Sequence, residues 1–482
     1  MAIKLNKSIT KLHKDLTHLR TDAFTLEKFA EKKISRDKYN CYECLTFNRA
    51  DNAVRKIKHI EEDEFLKGIP YVIKDNYSTK GFPTCASSES LNGYIPLFDA
   101  EIVRRLDKKG AIMVAKTSMD ELAMGGTGTT SHLGVTKNPL DTTRIIGGSS
   151  SGSAASLLAG HCTFAIGSDT GDSVRKPASY AGLVGFKPTY GLISRYGLFG
   201  FAQSMDTVAY FTTNVLDSAI LTDALAGYDK KDASSYAGKY DKNFIKYAKV
   251  GVKNKKLCYF EDLIEAIENK EVVEKFYKLV ETLKSNGFTV EGVKFGTTLL
   301  NAIYPTYMIL SCAEASSNDA CLDGIKYGPS GDAEEFENYR EMMKNNRTKG
   351  FCEMIKRRFV IGSFSLLSDN RYEIFDRAQK ARGAIVRRMY EIYSQYDALI
   401  LPASGHVAPK IEDVSYSWST TPDFVENHMA IGNFGGFPSI TIPWMKEDAT
   451  KLPIGVNITS PIFTDAMLLG IASSIEKLVK ED

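Results

Sequence analysis

Three short segments of this 482-residue chain carry residues suited to hydrolytic chemistry. Lys74 ends the apolar run GIPYVIK, and lysine is seldom placed at the end of a buried strand without a reason. Ser149 lies in the run GGSSSGS, and Ser173 lies in GSDTGDSVRKPAS. A serine hydroxyl is a weak nucleophile until a base accepts its proton, and a poorly solvated lysine is one such base. Lys74 and the serines of these segments are therefore candidates for a Ser-Lys pair.

Other interpretations of these residues stay open at this stage. Ser173 also suits a helix cap, Ser149 is one of several loop serines, and Lys74 also suits a strand end whose ammonium reaches solvent. Histidine is the more usual base for serine, and none of the histidines lies in a recognisable triad setting, although triads assemble in space. The chain has seven of them: His13, His18, His59, His132, His161, His406 and His428.

The elements that must position these residues alternate between helix and strand, which is typical of α/β folds. YVIK and AIMVA are predicted as buried strands, EIVRRLDKKG as a helix closed by Gly110, and GGSSSGSAASLLAG as a loop leading into a helix N-terminus. Another helix is predicted over 272–285, where apolar residues recur at helical spacing before Asn286-Gly287. Further strands are predicted over 288–295, 397–403, 439–444 and 453–459.

This pattern predicts a large mixed β-sheet flanked by helices on both faces. We expect an N-terminal helical segment over residues 1–65 and one compact unit over 66–482, with its core at about 68–215. Residues 329–350 are polar and are predicted to be a surface insertion.

The composition excludes several classes of protein. Lys and Arg total 61 against 59 Asp and Glu, so the net charge of +2 argues against nucleic-acid binding through bulk positive charge. No stretch approaches the roughly 20 apolar residues of a membrane helix, and no apolar leader is evident. The eight cysteines are sparse, and the Cys41/Cys44 pair lacks a partner at zinc-site spacing. We therefore expect a cytoplasmic protein with reduced thiols, no membrane segment and no metal.

The segments around Lys74, Ser149 and Ser173 together resemble the amidase signature, in the order in which that signature occurs. The resemblance implies the amidase-signature fold, Ser173 as nucleophile, Ser149 as a bridging cis-serine and Lys74 as base. It also implies an oxyanion hole built from backbone N–H groups of Thr170, Gly171 and Asp172.

Several neighbours of these residues depart from the signature or have other expected roles. The family usually has glycine where Asp172 and Ser151 stand, so the Asp172 carboxylate must point away from the oxyanion. Asp169 and Arg175 are expected to brace the turn as an ion pair, and Lys116 is expected to be structural.

Beyond the signature, nearly the whole chain resembles the A subunits of aspartyl/glutamyl-tRNA amidotransferases. Supporting segments are MDELAMGGTGTTSHLGVTKNPLD and KPTYGLISRYGLFGFAQSMD. The resemblance implies a glutaminase in a heterotrimer with B and C subunits, whose ammonia converts mischarged Glu-tRNA(Gln) or Asp-tRNA(Asn). ATP, magnesium and most tRNA contacts are then expected in the partner B subunit, with no cofactor in this chain.

Free glutamine has an α-carboxylate and an α-ammonium, so its pocket needs a fixed cation and a fixed anion. Arginine suits the carboxylate because its planar fork binds both oxygens. The resemblance implies Arg358 for this role, with Arg357 as a weaker alternative, and Glu426 for the ammonium, with Asp423 nearby. The other residues that the resemblance implies for the glutamine pocket are Tyr307, Met124 and Gly125.

Two other functions stay open on the sequence. One is a free-standing amidase that uses the same three residues on another amide. The other is a non-catalytic assembly protein that has kept the fold, against which the joint presence of Lys74, Ser149 and Ser173 argues.

Overall fold

The computed structural model describes residues 4–327, 335–414 and 424–481. Within them, the main sheet has 11 strands in the order β1-β3-β2-β6-β8-β7-β12-β13-β11-β9-β10, and β4 pairs with β5 separately. The strands are β1 (Tyr42–Leu45), β2 (Pro70–Lys74), β3 (Ile112–Thr117), β4 (Lys137–Asn138), β5 (Asp141–Ile145), β6 (Phe164–Asp169), β7 (Val184–Lys187), β8 (Thr207–Thr212), β9 (Lys256–Phe260), β10 (Thr289–Val293), β11 (Ala398–Pro402), β12 (Ser439–Lys446) and β13 (Pro453–Thr459).

Parallel and antiparallel pairs both occur in this sheet, so the predicted large mixed sheet flanked by helices is confirmed. The helices are α1 (Ile9–Thr17), α2 (Ala23–Ile34), α3 (Phe47–Val54), α4 (Glu101–Lys108), α5 (Ser151–Leu158), α6 (Arg175–Ala181), α7 (Val215–Leu225), α8 (Phe244–Val250), α9 (Glu261–Ile264), α10 (Lys270–Ser285), α11 (Thr297–Asn318), α12 (Tyr339–Gly350), α13 (Glu353–Leu366), α14 (Ser368–Arg371), α15 (Arg377–Tyr393), α16 (Phe424–Asn427), α17 (Ala430–Phe434) and α18 (Asp465–Glu481). Among the described residues, no helix has both the length and the apolar character needed to cross a bilayer.

Helix α10 shows how local sequence defines an element here. Val272, Phe276 and Leu283 are buried on one face, as the helical spacing of its apolar residues predicts. The Asn269 side chain accepts hydrogen bonds from the first free N–H groups of the helix. Gly287 adopts a φ of 91° just beyond the end, where a side chain would be strained.

The strand order brings distant parts of the chain to one edge of the sheet. Strand β2 lies between β3 and β6 and is parallel to both. Because parallel strands end at the same edge, Lys74 at the end of β2 lies close to Ser168 and Asp169 at the end of β6. The loop that precedes α5 and carries Ser149 reaches the same edge.

The N-terminal segment, predicted to be helical, also contains a strand. Strand β1 pairs antiparallel with β3 and extends the main sheet, with Cys44 opposite Lys116. The sequence did not indicate this strand, because its four residues are only partly buried and show no clear alternation.

The predicted surface insertion lies partly outside the described residues. Its second half forms α12, whose residues are all half-buried or exposed, so this helix lies at the surface.

Candidate active site

Lys74 is fully buried, and its ammonium contacts two serines. Nζ lies 2.7 Å from Ser149 Oγ and 3.0 Å from Ser168 Oγ. Burial lowers the pKa of Lys74 to about 7, against the opposing effect of Asp120, Asp169 and Asp206. A substantial fraction of the amine is therefore neutral near pH 7 and is able to accept a proton.

Ser149 follows a cis peptide bond from Gly148, so the expected cis-serine is present. Asp120 fixes this segment. Its carboxylate accepts hydrogen bonds from the backbone N–H groups of Thr127 and Gly128, and its own backbone N–H donates to the Ser149 carbonyl. A Cβ on Gly148 would lie 1.9 Å from Asp120 Oδ2, so only glycine fits there. Together these contacts hold the Ser149 hydroxyl against Lys74.

Ser173 lies in the turn between β6 and α6 and is 2% exposed. Its carbonyl accepts a hydrogen bond from the Ser150 N–H at 3.2 Å, which ties this turn to the Ser149 segment. The structure thus brings all three predicted residues to one site. Within the described residues, the Lys74–Ser149 hydrogen bond is formed, whereas no hydrogen bond joins the Ser149 and Ser173 hydroxyls.

Asp169 and Arg175 brace the turn, as expected. Arg175 Nη2 lies 2.8 Å from Asp169 Oδ1, and both side chains are fully buried. Asp169 also accepts the Val174 N–H, and Arg175 donates to the Gly171 carbonyl. Although burial acts in the opposite direction, Arg175 holds the pKa of Asp169 below its usual value. This ion pair fixes the shape of the turn without contacting the Ser173 hydroxyl.

The braced turn leaves several backbone donors available. In the described part of the chain, the N–H groups of Thr170, Gly171, Asp172 and Ser173 donate to no protein acceptor. Unpaired N–H groups beside a nucleophile are the arrangement that stabilises an oxyanion. The positions at which the oxyanion hole was predicted therefore carry unpaired donors.

Asp172 introduces a carboxylate into that turn. Burial raises the pKa of Asp172 to about 6, while Lys176 and Arg175 oppose the rise. With this pKa, the carboxyl is mostly ionised at pH 7 and becomes protonated as the pH falls through about 6. Ser151, the other departure from the signature, is buried and donates to the Thr136 hydroxyl, which accounts for its fit.

Tyr307 packs against the turn, and Arg358 interacts electrostatically with Tyr307. The Tyr307 ring packs against Gly171: a Cβ atom added to Gly171 would lie 2.9 Å from the nearest ring atom. The Arg358 guanidinium lies 5.7 Å from the centre of the Phe201 ring, and its Nη1 is buried with no acceptor among the described residues. Burial raises the pKa of Tyr307. The positive charge of Arg358 opposes this rise and the negative charge of Asp172 adds to it, so the three groups share one electrostatic environment.

Glu426 does not match the free anion expected for the substrate ammonium. Lys176 Nζ lies 2.5 Å from its carboxylate, which also accepts from Ser404 and from the Gly405 N–H at 2.6 Å. Burial favours the neutral acid, but Lys176 and His406 lower the pKa of Glu426 to about 2. The carboxylate is thus engaged within the protein, which the sequence did not indicate. Asp423 lies outside the described residues.

Met124 and Gly125 lie in the loop that is anchored by Asp120. Met124 is fully buried, and Gly125 packs against the Asp120 side chain. The next residue, Gly126, accepts the Gly148 N–H at 2.9 Å, so this loop adjoins the Ser149 segment.

Ser168 and Asn76 belong to the site, although sequence reasoning missed them. Asn76 Nδ2 donates to Ser168 Oγ at 3.0 Å, and the same oxygen contacts Lys74. Ser168 lies inside the segment GSDTGDSVRKPAS and Asn76 lies two residues after Lys74, so proximity in sequence to residues already singled out was the available signal.

The remaining candidates near the site have structural surroundings. Among the described residues, no histidine hydrogen-bonds to Ser149 or Ser173, so the histidine alternative gains no support. Lys116 pairs with buried Asp75 at 2.9 Å, the structural role expected of it.

Comparisons with known proteins agree with this geometry. The sequence model of a family described as Amidase matches residues 25–469. The chain is 36% identical over 455 residues to the A subunit of the Glutamyl-tRNA(Gln) amidotransferase of Lachnospira eligens, covering 93% of this chain and 92% of the relative. It is 38% identical over 444 residues to the corresponding protein of Halothermothrix orenii, covering 92% and 90%.

A solved structure with the same description, from Thermotoga maritima, superposes with a TM-score of 0.80 at 32% identity, covering 99% of this chain and 96% of that one. Both the sequence and the fold are therefore shared over nearly the full length. The chain belongs to the amidase family, as an enzyme whose relatives include A subunits of amidotransferases.

Proposed function

We propose that this chain is a glutaminase subunit, which hydrolyses the side-chain amide of glutamine and releases ammonia. The observation that carries the proposal is the buried Lys74 amine held 2.7 Å from Ser149 Oγ, beside the turn that presents Ser173. A serine or lysine with a purely structural role does not require this combination of burial, mutual contact and adjacent unpaired N–H groups.

The proposed chemistry is a two-step proton relay. Neutral Lys74 takes the proton of the Ser149 hydroxyl, Ser149 takes the proton of Ser173, and Ser173 Oγ attacks the amide carbon of glutamine. The relay then runs in reverse and protonates the leaving nitrogen, so ammonia departs and an acyl-enzyme remains. Water attacks the acyl carbon through the same relay and releases glutamate. A small approach of the two hydroxyls completes the relay when substrate binds.

The tetrahedral intermediate requires donors aimed at its oxygen. The free N–H groups from Thr170 to Ser173 supply them, and the Asp169–Arg175 ion pair holds the turn in place before substrate arrives. One such donor typically stabilises the transition state by about 3–4 kcal/mol. Prealigned donors of this kind cost no reorganisation during the reaction.

Arg358 is proposed to bind the α-carboxylate of glutamine. Its Nη1 is buried with no protein acceptor among the described residues, so the pocket already holds an unpaired donor. A buried unpaired donor is costly, and a substrate carboxylate would satisfy it with a charge-assisted bond. Tyr307 packs against Gly171 of the turn and interacts electrostatically with this arginine, so it would line the pocket.

The relatives of this chain are described as parts of Glutamyl-tRNA(Gln) amidotransferases. By extension, we place this chain in a complex with B and C subunits that uses its ammonia to amidate mischarged tRNA, with ATP and magnesium bound by the B subunit. The near-neutral charge of this chain fits that division, because the tRNA contacts then lie mainly on a partner.

The test is ammonia release from glutamine by the complex purified with its partner chains. Ser173→Ala, Ser149→Ala and Lys74→Ala are each expected to reduce kcat by at least about 10⁴-fold. Arg357→Ala is the matched control for Arg358→Ala, because Arg357 is the exposed neighbour on the same helix. Full activity of Ser173→Ala would overturn the proposal.

A free-standing amidase that acts on an apolar amide is the alternative within the family. Arg358→Ala distinguishes the two functions, since it should raise KM for glutamine about 100-fold or more if a charged pair is lost. An unchanged KM for glutamine, together with turnover of a simple aryl amide, would favour the alternative.

A further inference from the structure

A cluster of three metal-ligating side chains lies outside the proposed active site. Glu43 belongs to strand β1, Cys85 lies in the loop that follows β2, and His132 lies in the loop that follows β3. Their ligand atoms all lie within 4.8 Å of one another. Because the three residues are far apart in the chain, no sequence spacing indicated them, and the expectation from the sequence was that no metal binds.

The distances within the cluster suit a tetrahedral ion. Cys85 Sγ lies 3.6 Å from Glu43 Oε2 and 3.8 Å from His132 Nε2, and these last two atoms are 3.0 Å apart. Around a tetrahedral zinc ion with ordinary bond lengths, neighbouring ligand atoms are separated by about 3.3–3.6 Å. Shifts of a few tenths of an ångström therefore convert this triangle into three corners of a tetrahedron.

The surroundings of the cluster hold the three side chains in orientation. His132 Nδ1 lies 3.1 Å from Glu89 Oε2, the carboxylate–histidine contact that commonly supports a metal-bound imidazole. Ser87 donates to the second oxygen of Glu43. The Cys85 N–H donates to Asp75, which is paired with buried Lys116.

We propose that Glu43, Cys85 and His132 bind a zinc ion, with water as the fourth ligand. A thiolate and an imidazole select zinc over magnesium or calcium, which prefer oxygen ligands alone. The His132 side chain is 21% exposed, so one side of the site is open to water.

Zinc binds an imidazole in its neutral form and a thiol as the thiolate, so binding at this cluster would release protons to solvent.

The ion would join three segments next to the active site. The His132 N–H donates to the Ser87 carbonyl, and the Met119 N–H donates to Ser87 Oγ. The loop that runs from Met119 to His132 also contains Asp120, which donates to the Ser149 carbonyl. Zinc would thus stabilise the loop that supports Ser149 without taking part in the reaction.

The test is zinc affinity of the full-length chain, measured by competition with a chelator. Wild type is expected to bind one ion, Glu89→Gln to bind about 10- to 100-fold more weakly, and Glu43→Gln, Cys85→Ser and His132→Gln to lose more. Cys321→Ser and His59→Gln are the matched controls, because both residues are exposed and lie outside the cluster, and they should leave affinity unchanged. Equal affinity in all variants, or no stoichiometric ion in wild type, would overturn the proposal.

A second measurement uses the wild type alone and so does not depend on the folding of variants. Zinc should slow alkylation of Cys85 at least about tenfold, as read from the mass of its peptide, because coordination adds to the protection that burial already gives this thiol. Alkylation of the exposed Cys321 should not change. Cobalt in place of zinc should give the charge-transfer absorption of a cobalt–thiolate bond. An alkylation rate of Cys85 that is the same with and without zinc would contradict the site.

Discussion

At the scale of single residues, the burial of one lysine governs the proposed chemistry. Lys74 is enclosed by strand ends and serine hydroxyls, and desolvation lowers its pKa while three buried aspartates offset part of that effect. The protonation state of the amine must therefore change during the reaction. It must be neutral to accept a proton when Ser173 attacks, and it must return that proton through the relay when the nitrogen leaves.

This balance gives a pH dependence with a definite sign. Because the base must be neutral, kcat/KM should rise as pH increases through about 7, the pKa of Lys74. Ser168→Ala removes an oxygen that stabilises the ammonium, so the rise should move to lower pH. Initial rates of ammonia release across the pH range measure both effects. A profile that falls through neutral pH, or one that Ser168→Ala leaves in place, would contradict a basic Lys74.

Asp172 gives a second prediction at this scale. Its carboxylate adds negative charge beside the oxyanion, so Asp172→Asn should raise kcat, by up to about tenfold, a change of ~1.4 kcal/mol. The effect should be largest above pH 6, where the wild-type carboxyl is mostly ionised. Steady-state kinetics with glutamine provide the measurement. An increase in KM at constant kcat would instead show that Asp172 binds the substrate ammonium, a role that the paired Glu426 does not fill.

At the scale of elements, the first turn of α6 is fixed to α16 by a buried ion pair. Lys176 and Glu426 have side-chain exposures of 7% and 15%, so removal of one charge leaves the other poorly solvated. Lys176→Met should therefore lower the free energy of unfolding by about 3–5 kcal/mol. The double variant with Glu426→Gln should recover much of the loss, because both charges are then gone. Denaturant titrations compare the three proteins.

The same pair contributes to acid stability. The folded pKa of Glu426 is lowered to about 2, so the stabilisation is fully present above the ordinary carboxyl pKa and is lost as pH falls towards 2. Lys176→Met should reduce this part of the acid dependence. Equal acid dependence in both proteins would show that the pair contributes little.

Sequence patterns predicted the regular elements well and the contacts between them poorly. The predicted strands 453–459 and 439–444 occur as Pro453–Thr459 and Ser439–Lys446, because continuous apolar runs mark buried strands. Strand β1 was missed because it is short and half-buried. The engagement of Glu426 by Lys176 joins residues 250 positions apart and leaves no local signal.

At the scale of the whole molecule, the sheet is what assembles the site. Lys74, Ser149 and Ser173 come from different strand ends and loops, and only the parallel arrangement of β2 and β6 brings them to one edge. The three residues were predicted from a resemblance between short segments, whereas Ser168 and Asn76 became evident only from the packing at that edge. The same strand order gathers Glu43, Cys85 and His132 beside the loop that supports Ser149.

The most direct test of Ser173 as the nucleophile is to trap the covalent intermediate. The complex is mixed with glutamine, quenched in acid within a turnover, and digested for mass spectrometry. A glutamyl group is expected on the peptide that contains Ser173, and none in Ser173→Ala. A glutamyl group on any other residue, or ammonia release with no acylated Ser173 at any time, would contradict this mechanism.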